Sequence, residues 1–208
     1  MTPRKVALTF LVLLSCFSAV SCTGPPPDEY PAKIAQERVQ KDEFLRRSED
    51  IILPADREKF LPLSYFPIDE SYAVPAQLQE SRERTLLKVP TSTGKIRDME
   101  QVGFLQFVLK GQQMKLSALV DAGSQKIDRL SVMFADLTNG TETYQAGRYM
   151  ELDPERSGIY IVDFNKAFHP YCYYNPDYDC PYPPPENRLK VPIRAGEKLR
   201  AADVTVTR

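Results

Sequence analysis

From Ser64 onward, apolar and polar residues alternate with a period of two in a series of short runs. These predict strands over Ser64–Ile68, Ser71–Leu78, Thr85–Val89, Gln101–Leu109, Met114–Val120, Asp128–Phe134, Arg148–Met150, Ile159–Val162, Leu189–Ile193 and Asp203–Thr207. Turn pairs punctuate them: Thr93-Gly94, Lys110-Gly111, Ala122-Gly123, Asn139-Gly140, Ser157-Gly158 and Ala195-Gly196. In Gln101–Leu109 both parities are apolar, Val102, Phe104 and Val108 on one side and Leu105, Phe107 and Leu109 on the other. That pattern predicts a central strand covered on both faces. Many short strands without alternating helices define the fold class as mostly β, a β-sandwich or a partly open barrel.

Ahead of the strands the period changes. Tyr30 to Asp50 places opposite charges four apart, Lys33 with Glu37, Asp42 with Arg46 and Glu43 with Arg47, as a helix does. Its apolar face is thin (Ile34, Val39, Phe44, Leu45), which predicts a helix lying across the domain surface. Pro54 opens a second short helical turn, Ala55 to Phe60, that Pro62 ends.

Tyr160 to Lys198 holds six of the eleven tyrosines, the one histidine, two cysteines and three consecutive prolines. The proline density of its middle part excludes a regular helix or central strand there. Its aromatic content predicts a long irregular loop that packs on the sheet, the kind of segment that carries function.

The first residues read as an export signal. Arg4 and Lys5 precede an apolar run, Val6 to Leu14, and small residues end at Ala19-Val20-Ser21-Cys22. The small residues before Cys22 resemble a lipobox, and Thr23-Gly24-Pro25-Pro26-Pro27 resembles the tether of a lipid-anchored protein. Leu13-Leu14-Ser15-Cys16 competes as the modification site, and plain secretion near Ser21 is the simpler alternative. The reading is therefore a signal peptide over 1–21, a lipidated tether over 22–29 and one β-rich domain over 30–208, exported to the cell envelope. In a Gram-negative source it would face the periplasm or sit on the outer membrane. About 187 residues remain after cleavage, enough chain to bury one core.

The chain has 27 Lys and Arg against 28 Asp and Glu. Loss of Arg4 and Lys5 leaves a slightly acidic protein, which argues against nucleic acid as a partner. With Cys22 lipidated, Cys172 and Cys180 remain, and an oxidising compartment makes a disulfide the default for such a pair. A thiolate metal pair would want further ligands, and only His169 is near in sequence.

No catalytic signature is present: no Gly-x-Ser-x-Gly, no His-Glu-x-x-His, no phosphate loop and no dinucleotide fingerprint. No cofactor is implied. Asp177-x-Asp179 with Asp163 has oxygen ligands for calcium, but such pairs are common in turns, so no metal is expected. Arg148, Asp163, Asn165, Glu186, Asn187 and Arg188, beside strands or at the ends of the long loop, are the candidate ligand-binding residues. The competing reading is that these side chains satisfy a loop backbone that no ladder can satisfy.

Phe134-Ala135-Asp136, Thr138-Asn139-Gly140, Thr143-Tyr144 and Gly147-Arg148-Tyr149 form the first half of a motif set. Asp163-Phe164-Asn165, Cys172, Cys180-Pro181, Pro184-Pro185-Glu186-Asn187-Arg188-Leu189 and Ala195-Gly196-Glu197-Lys198 form the second. Together they resemble domain-of-unknown-function family 1684, over nearly the whole chain from about Phe44. The resemblance implies bacterial and archaeal relatives without an assigned activity. Phe168-His169-Pro170 departs from the family, which more often has tyrosine then asparagine before the proline, and this weakens His169 as an essential group.

Three functions remain open on the sequence. One is a non-catalytic module binding a small molecule, a glycan or an envelope protein. Another is a hydrolase using Asp163 and Glu186, whose carboxylates would have to converge within about 5–10 Å. The third is a purely structural lipoprotein. Arg148 is expected to pair with Asp163 or Glu186 and so clamp the loop to the sheet.

Overall fold

The structure, a computed structural model, describes residues 29–127, 129–153 and 156–200. The signal segment, Cys22, most of the tether and the strand expected at Asp203–Thr207 lie outside the described residues.

Helix α1 spans Glu29–Arg47 and a single-turn α2 spans Arg57–Phe60, after a 3-10 turn at Pro54–Asp56. Six strands follow: β1 Ala73–Pro90, β2 Ile96–Leu109, β3 Gln112–Asp121, β4 Leu130–Phe134, β5 Arg148–Leu152 and β6 Ile159–Asp163. They form one antiparallel sheet in the order β5-β4-β3-β2-β1-β6. β5 and β6 follow each other in the chain yet occupy opposite edges of the sheet. A connection of only residues 153–158 therefore forces the sheet to curl until its edges approach. The fold is mostly β, a partly open barrel with an unzipped seam between β5 and β6.

The runs Ser71–Leu78 and Thr85–Val89 are parts of one strand. The polar stretch Gln79 to Arg84 hides that continuity in the sequence, but β1 stays paired with β2 across a register break between Glu80 and Thr85. β2 and β3 join through Lys110-Gly111, both at positive φ (48° and 79°), the tight turn that matches strand twist.

A second break, between Gln101 and Gly103, rephases β2. Val102 thereby joins Leu105, Phe107 and Leu109 in the main core, while Met99 faces the other side with Val89, Leu119 and Met133. Val108 is left 53% exposed, so the second half of β2 is covered on one face only, contrary to the coverage of both faces read from the sequence. A Cβ on Gly103 would stand 2.3 Å from the Gln79 carbonyl oxygen, which is why the break carries a glycine.

Leu189–Ile193 is irregular, not a strand. It runs beside the end of β4 through Leu189 N–H to Ala135 O and Leu137 N–H to Val191 O, and Pro192 prevents a continued ladder. Ser64–Ile68, with Pro62 ahead of it and Pro67 within it, is likewise reduced to a bridge from Tyr65 to Glu197. The loop after β6 packs along the sheet, tied by bridges from Thr91 to Pro181, Ala135 to Arg188 and Tyr149 to Phe168.

α1 lies on the surface as expected, but with a different face down. Ile34 and Leu45 are buried, whereas Val39 and Phe44 are more than half exposed. The predicted charge pairs also turn outward to the domain: Glu37 bridges to Lys166 (2.9 Å) and Asp42 accepts from the Leu63 N–H (3.0 Å).

Candidate functional site

Arg148 is wholly buried at the start of β5. Its partner is Asp136, at 2.8 Å, and not Asp163 or Glu186 as the sequence suggested. The β4–β5 register pairs Phe134 with Arg148, so Asp136, two residues past the end of β4, falls beside the guanidinium. Arg148 also donates to the carbonyls of Ile193 (2.7 Å), Ala195 (2.5 Å) and Glu197 (3.1 Å). Asp136 receives the amide and hydroxyl of Thr138. Burial pulls the Arg148 pKa down against the opposing field of Asp136. The clamp on the loop is real, with a different carboxylate.

Asn187 is buried and serves the sheet. Its side chain accepts from Ser117 N–H (2.6 Å) and donates to Ser117 O (3.1 Å) and Met133 O (2.7 Å). It bridges β3 and β4 where their own ladder has narrowed to a single pair, Leu119 with Ser131. Glu186 is exposed, at 3.4 Å from Gln101 Nε2, and the Arg188 side chain is exposed as well. Asp163, Asn165 and Tyr30 form another knot. The Tyr30 hydroxyl donates to Asp163 (2.9 Å), and the Asn165 amide spans to the Asp69 backbone in both directions. Asp163 and Glu186 share no hydrogen-bond partner among the described residues. Among the described residues no three His, Cys, Asp or Glu side chains are grouped closely enough to hold a metal ion.

Cys172 and Cys180 face each other as free thiols, the Cys172 N–H donating to Cys180 Sγ at 3.3 Å; the expected disulfide is not formed in the structure. The neighbouring Cys180 sulfur, acting as a hydrogen-bond partner, lowers the Cys172 pKa to about 7, and the same contact raises that of Cys180.

The site with unspent chemistry lies beneath α1. A cavity of about 270 Å³ is walled by α1 on one side and by Tyr65 and the start of the long loop on the other. Arg38 and Lys41 from α1 reach into it, with Tyr65, Asn165, Phe168 and Glu197 opposite. Glu197 is buried and fully engaged: it accepts from Lys41 Nζ (2.5 Å), His169 N–H (2.7 Å) and the Tyr174 hydroxyl (2.8 Å). Burial alone would raise its pKa, but Lys41 and the other donors outweigh this and hold it below the ordinary carboxylate value. His169, enclosed beside it, is pushed down by burial to about 3 and is neutral.

Arg38 is the contrast. Its Nη1 donates to Phe66 O (3.1 Å), and its guanidinium carbon sits 4.3 Å from the centre of the Tyr65 ring. It has no carboxylate partner among the described residues, and its Nε and Nη2 have no acceptor there. The enclosed Tyr65 hydroxyl has no partner there either. Burial lowers the Arg38 pKa, the mark of a cation held with little compensation.

Of the six sequence-predicted residues, Asn165 lines this cavity and Asp163 the neighbouring one; Arg148, Glu186, Asn187 and Arg188 line neither. Arg38, Lys41, Tyr65 and Glu197 were missed. A signal for two of them was present: positions 34, 38, 41 and 45 form one helical stripe, and its buried ends, Ile34 and Leu45, enclose an arginine and a lysine.

A family profile described as "Protein of unknown function (DUF1684)" matches residues 58–198. The solution structure of the uncharacterized protein from gene locus rrnAC0354 of Haloarcula marismortui is similar, with a TM-score of 0.66 and 32% identity over 82% of this chain and 94% of that one. No curated protein matches. The matched span contains Tyr65, Asn165, Phe168 and Glu197, while Arg38 and Lys41 precede it.

Proposed function

Since the chain belongs to the DUF1684 family of proteins of unknown function, we propose a function from its site alone. The protein is a non-catalytic binding module of the cell envelope, anchored through lipid on Cys22, that takes a small organic anion between α1 and the long loop. The observation that carries this is Arg38, a half-buried cation in a cavity wall with two guanidinium nitrogens lacking acceptors among the described residues. A carboxylate matches an arginine fork through two parallel hydrogen bonds. Tyr65, Phe168 and Ile34 supply the apolar surround that fixes such a ligand. Envelope location is supported by the basic start, apolar run and small residues that precede Cys22.

The hydrolase reading has no observation in its favour. Asp163 is occupied by Tyr30 and Asn165, and Glu186 reaches toward Gln101.

The test is calorimetric titration of butyrate and benzoate into the protein carrying Cys22→Ser, prepared without detergent. Saturable binding is expected, weakened at least tenfold by Arg38→Gln and only partly preserved by Arg38→Lys, which keeps the charge but not the fork. Absence of heat with both acids overturns the reading.

A further inference from the structure

Resting on that reading, the geometry points to a narrower ligand class: an unbranched aliphatic monocarboxylate, its head at Arg38 and its chain in the open seam of the barrel. The seam between β5 and β6 encloses about 500 Å³. Met150 and Leu152 form one wall and Ile159 to Ile161 the other. Ile159 and Ile161 are 55% and 56% exposed, so apolar surface stands open beside this cavity.

The seam and the cavity below α1 share three wall residues, Ile34, Lys166 and Phe168. Ile34 and Phe168 offer an apolar passage. Lys166 is a half-exposed lysine paired with Glu37, which rotates aside at little cost. The two spaces together form one channel, with Arg38 at one end and the open isoleucines of β6 at the other.

Charge decides which end takes the head. The acidic groups along the seam are already matched: Glu151 and Asp153 by Arg129 (2.7 and 3.6 Å), and Asp163 by the Tyr30 hydroxyl. An anion entering the seam head first would meet these carboxylates. At Arg38, where the carboxylates lining the cavity, Glu37 and Glu197, are paired with Lys166 and Lys41 (2.9 and 2.5 Å), it meets a cation without a carboxylate partner among the described residues. The chain then covers methylenes against Ile34, Phe168 and the seam, where each buried CH₂ strengthens binding roughly fourfold.

The experiment titrates straight-chain acids of four to twelve carbons into the Cys22→Ser protein and its variants. Affinity is expected to rise roughly fourfold per methylene over the first several additions and then level. Ile161→Asn should flatten that rise while leaving butyrate binding unchanged, and Arg38→Gln should weaken every acid by a similar factor. Binding that depends on Arg38 but not on chain length keeps the anion site and overturns the channel. A chain-length effect untouched by Ile161→Asn places the chain elsewhere and also overturns it. If Lys33→Gln, at the mouth of the seam, abolishes binding while Arg38→Gln does not, the head lies at the wrong end. No binding of any acid removes the channel together with the site it extends.

Discussion

Arg148 Nη2 donates to Asp136 Oδ2 across 2.8 Å with both side chains closed off from solvent, 0% and 1% exposed. Around this pair gather three carbonyls of residues 193 to 197, the segment that returns Glu197 to the site. The pair is the peg that fixes the end of the long loop against the sheet.

Arg148→Ala is expected to cost about 3–5 kcal/mol, because it strands a buried carboxylate and three carbonyls. Thermal denaturation reads this as a large fall in Tm. A variant melting like the wild type would show that the segment is held by other contacts. Replacing both residues, Arg148→Met with Asp136→Leu, should recover part of the loss, since it removes the unpaired charge.

His169 makes stability depend on pH. Its pKa falls from an ordinary 6.5 in the unfolded chain to about 3 in the fold. Between those values the unfolded state binds the extra proton, so stability is full above about pH 6.5 and declines as pH falls toward 3. The decline should approach about 1.4 kcal/mol per pH unit within the window. Glu197, also depressed, contributes at lower pH, and Asp42, raised by burial, titrates alongside, so the histidine's share is read as the difference from a His169 variant. Denaturant unfolding across that window is the measurement. His169→Gln, which can still accept from the Tyr144 N–H, should remove that share of the slope.

The two loop thiols are predicted to pair in an oxidising envelope. Mass spectrometry of non-reduced peptides should find Cys172 linked to Cys180, and reduction should lower stability by roughly 2.5 kcal/mol for a loop of about nine residues. In the reduced protein Cys172, with its pKa near 7, should alkylate before Cys180. Two freely alkylated thiols in natively purified protein would refute the link.

Metabolic labelling with a palmitate analogue should tag the wild type and not Cys22→Ser, which should also leave the membrane fraction. Label that survives Cys22→Ser and disappears with Cys16→Ser would move the anchor to the other cysteine.

Local chemistry made much of this protein legible in advance. Alternation placed β2 to β6, Lys110-Gly111 marked a hairpin turn that needs positive φ, and proline density forbade regular structure in the loop. Each of these signals acts within a few residues, so it survives without knowledge of the rest of the chain. What escaped was set by meetings between distant segments. The register of β4 against β5 brought Asp136, not Asp163 or Glu186, to Arg148. The break at Gly103 turned Val102 inward, because the Gln79 carbonyl leaves no room for a side chain there. Asn187, read as a ligand candidate, bonds into the gap between β3 and β4, a demand created only when those strands part. Arg38 looked like one more surface charge on a polar helix. Only the docking of α1 over Tyr65 and Phe66 turned that charge inward, where two of its nitrogens are closed off without an acceptor among the described residues.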